Sequence, residues 1–475
     1  MKQLNVSSKI FIGLLMALLV AVLGTYVFYI LHNAEWLIGD DAFMLRRTAF
    51  GIPFPISESI LPEVGFFRPF DYQHENFVLL FHSGMHSAFE HYIINAVSFL
   101  VCMGALIGVL WLTIKPNQVV DYAIIVLGTI MMASRLIVMY INIFGPVFGV
   151  YTYHMMAIFF LCVFMKNDKV WAMVLSLLCW AYSMLIYENV CLVVGCMGFF
   201  PLVFAYKRLN KKQRIYCFSL LGFVVAFLVS YLIIIYLPTI GHKHYSPSHG
   251  TGVSLLDNAV NILKGQKFLW MAAWVWLWRQ IQIIRKKSQY HILYDTLLWA
   301  AGGMVVGGVV IRLNWAMYYY DAIILSLPAV VYFTMQIHEK YGKYIALFIV
   351  LTFAIVYSCR VPDTINVNQK DRIETASQMK HIAGLASNNW NVVWYENGEA
   401  EGVVRGLRDS KKEWTQNYIQ FLLQDREWNY DEKLGDSTIV FYPNENDKLG
   451  DAPGFLDGYN RISIGRSGVS CFLIN

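Results

Sequence analysis

Runs of roughly 17 to 25 mostly apolar residues recur along the chain, the length an α-helix needs to cross about 30 Å of hydrocarbon. The pattern predicts about eleven spans: Ile10 to Leu31, His91 to Leu112, Tyr122 to Phe144, Val150 to Met165, Val170 to Tyr187, Val190 to Tyr206, Ile215 to Leu237, Phe268 to Ile284, Leu293 to Ile311, Tyr318 to Ile337 and Tyr344 to Ser358. Most intervening polar segments are short, but two are long: His32 to Glu90 after the first span, and Arg360 to Asn475 after the last. The latter mixes helix-prone stretches near Asp371 to Ala386 and Glu413 to Leu423 with β-prone runs at Val392 to Tyr395, Thr438 to Tyr442, Ile462 to Ile464 and Val469 to Ile474. The expected fold class is mainly α. Residues 1–358 form a polytopic transmembrane domain with a long first outer loop at 32–90, and 359–475 form a small α/β outer domain.

Composition agrees with lipid as the solvent. Hydrophobic residues make up 57% of the chain and charged ones 15%, with a mean hydropathy of +0.48, which excludes a set of ordinary soluble domains. The aromatic share of 16% suits side chains at headgroup level, with one apolar and one polar end. A net charge of +5 does not point to nucleic acid, because the cations fall in short clusters between apolar runs. With a cytosolic N-terminus, the inner segments collect Lys2, Lys9, Lys115, Lys166, Lys169, Lys207, Arg208, Lys211, Lys212, Arg214, Arg285, Lys286, Lys287, Lys340 and Lys343. The short outer loops then hold only Lys243, Lys264, Lys267 and Arg312. That asymmetry predicts an N-terminus inside and a C-terminus outside, as in a bacterial cytoplasmic membrane. The first apolar run is longer than a signal-peptide core and reads as a retained anchor. Six cysteines lie in or beside spans as small core residues. Cys359 and Cys471 both fall on the outer side, where a disulfide is open to them.

Candidate chemistry begins in the first outer loop. Trp36-Leu37-Ile38-Gly39-Asp40-Asp41-Ala42-Phe43 sets two adjacent carboxylates just beyond the first span. Two readings are open. An acidic pair at the start of a helix from Ala42 to Phe50 caps its backbone N–H groups and complements its dipole. Alternatively, one carboxylate is a general base, its pKa raised by its neighbour, that takes the proton of an acceptor hydroxyl. Downstream come Gly65-Phe66-Phe67-Arg68-Pro69-Phe70 and, at the entry to the second span, His91-Tyr92-Ile93-Ile94-Asn95.

An acidic pair after the first span, an Arg-Pro in the following loop and a His-x-x-x-Asn entering the second span together resemble the GT-C superfamily of membrane glycosyltransferases. The likeness is strongest to protein O-mannosyltransferases of the tetratricopeptide-bearing type and their bacterial relatives. It covers about the first 200 residues as an ordered set of short motifs. The tetratricopeptide repeats are missing, so a protein acceptor is not implied. The resemblance implies that Asp40 or Asp41 is the catalytic carboxylate, beneath a loop that Arg68 helps to position, and that transfer inverts the anomeric carbon. Glu188, at the outer end of the fifth span, matches an acidic family position, although Tyr187 replaces the basic residue usual before it. A basic residue in a late span commonly serves the carrier phosphate, a role that falls on Arg312 beside Tyr319.

Each of these residues also has a plainer reading. Arg68 can be a snorkelling cation, Glu188 a turn residue and Arg312 an interfacial anchor in an aromatic belt. Arg135, deep in the third span, must pair internally or reach a water-filled cavity, which makes it a further substrate or phosphate candidate. His154 reads first as a hydrogen-bonded core histidine. His74 and His91 are candidate acceptor or loop residues. His82, His86 and Glu90 share a helical face, a pattern of metal ligands or of an ordinary polar face. No cofactor follows from the motifs, and a divalent cation stays open.

No Walker loop or Rossmann fingerprint is evident and the inner loops are short, so an activated sugar is expected on a lipid rather than on a nucleotide. The expected partners are a polyprenyl-phosphate sugar donor, a glycan, lipid or protein acceptor, and membrane lipid. A lipid-linked glycan ligase or polymerase is the neighbouring alternative. A transporter or flippase is the distant one, disfavoured by the lack of inverted repeats and paired broken spans.

Overall fold

The computed structural model describes residues 6–37, 53, 55–62, 66–70, 87–141, 146–240, 255–310, 319–395, 412, 415–423, 437–443, 456, 458–465 and 469–474. Among the described residues, twelve α-helices precede the outer domain: α1 (Val6–Leu31), α2 (Ala88–Ile114), α3 (Val119–Tyr140), α4 (Pro146–Asn167), α5 (Val170–Ile186), α6 (Val190–Ala205), α7 (Lys211–Tyr231), α8 (Leu255–Gly265), α9 (Phe268–Ile284), α10 (Tyr294–Val310), α11 (Tyr320–Gln336) and α12 (Gly342–Ser358). All but α8 fall on the expected spans. Among the described residues, seven helices are long and apolar enough to cross a membrane, and α5, α10 and α11 are shorter apolar helices. The chain is an integral, multi-pass membrane protein. The bundle end that carries the small sheet is called the outer end below, and the opposite one the inner end.

Burial sorts the helices by their neighbours. In α11, every residue from Tyr320 to Val331 is buried, as expected of a helix surrounded by protein on all sides. Its internal Pro328 is tolerated there, because packed neighbours support the freed backbone groups. By contrast α1 buries only Leu19, Tyr26 and Ile30 and presents large apolar side chains outward, which lipid solvates without penalty. Close approach of α10 to α6 depends on Gly303 and Gly307. A Cβ at Gly303 would stand 2.6 Å from Cys196 Sγ, and one at Gly307 would collide with Leu192.

The outer domain opens with α13 (Val361–Ser387), followed by β3 (Asn391–Trp394), β4 (Thr438–Pro443), β5 (Asn460–Ser463) and β6 (Val469–Ile474). Their order is β3-β4-β6-β5, with β3 parallel to β4 and the other pairs antiparallel. A short hairpin in the first outer loop, β1 (Ile60–Leu61) and β2 (Phe66–Phe67) in chain numbering, lies outside this sheet. The disulfide left open by the sequence does not form. Cys471 is buried in β6 between Phe441 of β4 and Ile462 of β5, while Cys359 is exposed at the end of α12, and both thiols are free.

Docking of the outer domain centres on Arg372, which is fully buried. Its guanidinium donates to the carbonyls of Tyr29 (3.3 Å), Ile30 (3.3 Å) and His32 (2.9 Å) at the end of α1, and to that of Ile141 just beyond α3. It also lies 4.2 Å from the centroid of the Tyr92 ring. Helix C-termini leave carbonyls unpaired and carry negative dipole ends, so one cation joins α13 to two spans. Gln369 adds donation to the Tyr29 and His32 carbonyls. Tyr418 donates its hydroxyl to the Trp36 carbonyl at 3.0 Å, and the Trp36 indole packs on His91 and Phe421.

Candidate functional site

At the outer end, α3, α11, α12 and α13 enclose a cavity of about 220 Å³. Arg135 of α3 and Arg360, at the start of α13, line it together with Tyr320, Tyr357, Ile137 and Val138. Helix geometry explains the grouping: α3 and α12 end where α11 and α13 begin, so residues distant in sequence meet in one layer. Arg135 stands five residues before the end of α3, about 7.5 Å below it at 1.5 Å per residue. One Nη2 donates to Gln266 Oε1 at 2.8 Å, and the guanidinium lies 4.5 Å and 5.3 Å from the ring centroids of Tyr320 and Tyr357. Its Nε is buried without a partner among the described residues. The wall behind Arg135 is tied together by hydroxyls, with Tyr26, Ser134 and Ser358 linked in a chain of two 2.8 Å bonds.

On the opposite flank, Arg68 and Glu188 form a bidentate pair, Nε to Oε2 at 2.6 Å and Nη2 to Oε1 at 2.8 Å. The guanidinium also covers the Tyr187 ring at 4.8 Å. The backbone N–H of Phe70 donates to the Leu185 carbonyl, and the Phe70 ring stacks on Tyr182. The sequence marked Arg68 as a loop-positioning or substrate residue and Glu188 as a substrate candidate, without pairing them. In the structure each is the other's partner, and together they fasten the first outer loop to the turn between α5 and α6. Tyr187 supplies an aromatic platform for Arg68.

Between these flanks lies a pair that sequence inspection did not join. His154 Nδ1 of α4 is 2.7 Å from Asp321 Oδ1 of α11, and both side chains are buried. The imidazole also packs on Trp180. This matches the core reading of His154, and its partner is the carboxylate next to Tyr320. Tyr319 was the tyrosine marked by sequence, but it packs against Gly308 of α10, where a Cβ would stand 2.6 Å from its hydroxyl. The following residue, Tyr320, lines the cavity instead. His91 is buried against Trp36 rather than set in a groove.

Asp40, Asp41, His74, His82, His86 and Arg312 lie outside the described residues. Among the described residues, no group of three His, Cys, Asp or Glu is arranged to hold a metal ion. Arg360 and Gln266 were missed by sequence reading. The signal for Arg360 was present, since an arginine directly after the last span runs against the positive-inside bias.

No protein-family model matches the sequence, and no curated protein sequence matches it. The fold, however, has counterparts of known structure. The crystal structure of ArnT from Cupriavidus metallidurans bound to undecaprenyl phosphate matches with a TM-score of 0.54, over 96% of this chain and 97% of that one, at 10% identity. ArnT in the apo state matches over the same shares with a TM-score of 0.51 at 10% identity. The chain shares the fold of ArnT, in line with the resemblance of its motifs to GT-C enzymes. The GT-C likeness reaches well beyond the first 200 residues, where the sequence motifs lie, and takes in the late spans and the outer domain.

Proposed function

We propose that this protein is a glycosyltransferase that moves a monosaccharide from a polyprenyl-phosphate carrier to a hydroxyl acceptor at the outer membrane face. The observation that carries this reading is the GT-C fold shared from end to end with ArnT, whose crystal structure is bound to undecaprenyl phosphate. The lysine and arginine asymmetry between inner and outer segments supports the outer face, with the N-terminus inside. In this reading Asp40 or Asp41 accepts the acceptor's hydroxyl proton. The oxygen attacks the anomeric carbon from the side opposite the phosphate, the bond to phosphate breaks, and the polyprenyl phosphate leaves. Configuration at the anomeric carbon is inverted.

The test is transfer by purified, reconstituted protein given a short polyprenyl-phosphate monosaccharide and a cell-envelope glycan or lipid acceptor. Replacing both aspartates by asparagine is expected to lower the rate by about 10²- to 10⁴-fold, the usual contribution of a positioned base. Full activity in that variant overturns the mechanism. Failure with every monosaccharide donor, but transfer of a long lipid-linked glycan, would mark a ligase instead.

A further inference from the structure

We propose that the cavity between Arg135 and Arg360 binds the phosphate group of a lipid, with the first helix of the outer domain supplying part of the site. Charge is the first argument. Neither arginine has a carboxylate partner among the described residues, whereas Arg68 and Arg279 are each held by one. Two guanidinium groups facing one cavity without a counter-charge match a phosphate of about −1.5 to −2 at neutral pH.

Depth is the second argument. A cation below the end of a span is costly to bury, and such residues face cavities or partners. Arg135 has Gln266, the Gly265 carbonyl at 3.5 Å and two aromatic faces among the described residues, and its Nε is buried with no partner. The guanidinium has five N–H donors, so donor capacity remains for an anion.

Shape completes the case. A single water needs about 10–15 Å³, so about 220 Å³ admits a phosphate and its immediate chain. The lining mixes two arginines and two tyrosines with Ile137, Val138 and Val361. An amphiphile suits this lining better than a free ion. The source of the phosphate rests on the transferase reading, which favours the polyprenyl carrier. A phospholipid headgroup offers the same chemistry.

The test uses the full chain in phosphatidylcholine nanodiscs, titrated with undecaprenyl phosphate, phosphatidylglycerol or inorganic phosphate and read by native mass spectrometry. Undecaprenyl phosphate is expected to bind the wild type, with R135Q and R360Q each weakening it about tenfold or more. Inorganic phosphate is expected to bind far more weakly. Equal binding of phosphatidylglycerol, lost in the same variants, supports the site with the bilayer as the phosphate's source. Arg360 is exposed, so R360Q is expected to fold, and wild-type affinity of R360Q and R135K for both lipids overturns the proposal. Sugar transfer is not the readout: a wild type that binds lipid through these arginines but transfers nothing refutes only the transferase reading.

Discussion

The two ends of the bundle treat their cations differently. At the inner end, Arg279 is clasped by Asp295 through bonds of 2.9 Å and 2.7 Å, and it also donates to Ser288 Oγ and the Gln289 carbonyl. Lys343 pairs with the buried Asp121 at 2.7 Å, and Lys212 with Asp168 at 2.5 Å. At the outer end, Arg372 donates to carbonyls and lies over the Tyr92 ring with no carboxylate partner among the described residues, while Arg135 and Arg360 face a cavity without a counter-charge. Closed ion pairs lock the inner ends of the helices together, and Arg68 with Glu188 adds another in the first outer loop. The open charge around the Arg135 cavity is available to a ligand, and a site that binds anions must forgo local carboxylates.

The contrast is broken most severely at Asp295. Asp295→Asn leaves Arg279 charged and buried, which is expected to cost about 3–5 kcal/mol and to appear as loss of monodisperse, folded protein in detergent. Next in size is Arg372→Met, expected to destabilise by about 2–3 kcal/mol because the carbonyl ends of α1 and α3 lose a charged donor. Its signature is selective: limited proteolysis should release the outer domain before the spans are cut. A double-mutant cycle with Arg68→Ala and Glu188→Ala should give a coupling of about 1 kcal/mol in thermal unfolding, since the pair is bidentate and only partly exposed. A coupling of zero would remove the fastening role assigned to that pair.

Separate from these, because it acts only below neutral pH, is an effect at the inner end. Burial pushes the His291 imidazole down to about 4, with Arg279 and Arg208 acting in the same direction and Asp295 opposing them. Between the usual 6.5 and about 4, the unfolded chain takes up a proton that the folded chain refuses. The contribution to stability is therefore full above pH 6.5 and is lost as pH falls through that window. His291→Gln should flatten the fall in melting temperature between pH 7 and pH 4.5. The smallest effect is expected for R360Q. This exposed arginine should leave stability within about 0.5 kcal/mol, so that any change in lipid binding stands apart from folding.

Much of the architecture was legible because lipid imposes its own arithmetic. A helix must be long enough to cross, so all eleven expected spans coincide with helices. The strand runs at 438–442 and 469–474 were equally visible, since β-branched and aromatic residues bounded by turn formers have few other uses. Partnerships were not legible. Arg68 and Glu188 are 120 positions apart, and His154 and Asp321 are 167 apart. Arg68, Glu188 and His154 were visible as polar residues in search of a role, but only packing decides which partner each one finds. Tyr319 and Tyr320 show the same limit at finer scale: they straddle the start of α11, and Tyr319 turns to Gly308 while Tyr320 turns to the cavity.

Arg372 also bears on the order of assembly. The carbonyls it satisfies at Tyr29, Ile30 and His32 are synthesised roughly 340 residues earlier. Throughout that interval the first span, already inserted, ends in acceptors that only water or headgroups can occupy. Its final seat is thus a late event, reached after translation has passed the last span. A chain ending at Ser358 would hold every apolar segment yet leave α1 without its outer fastening.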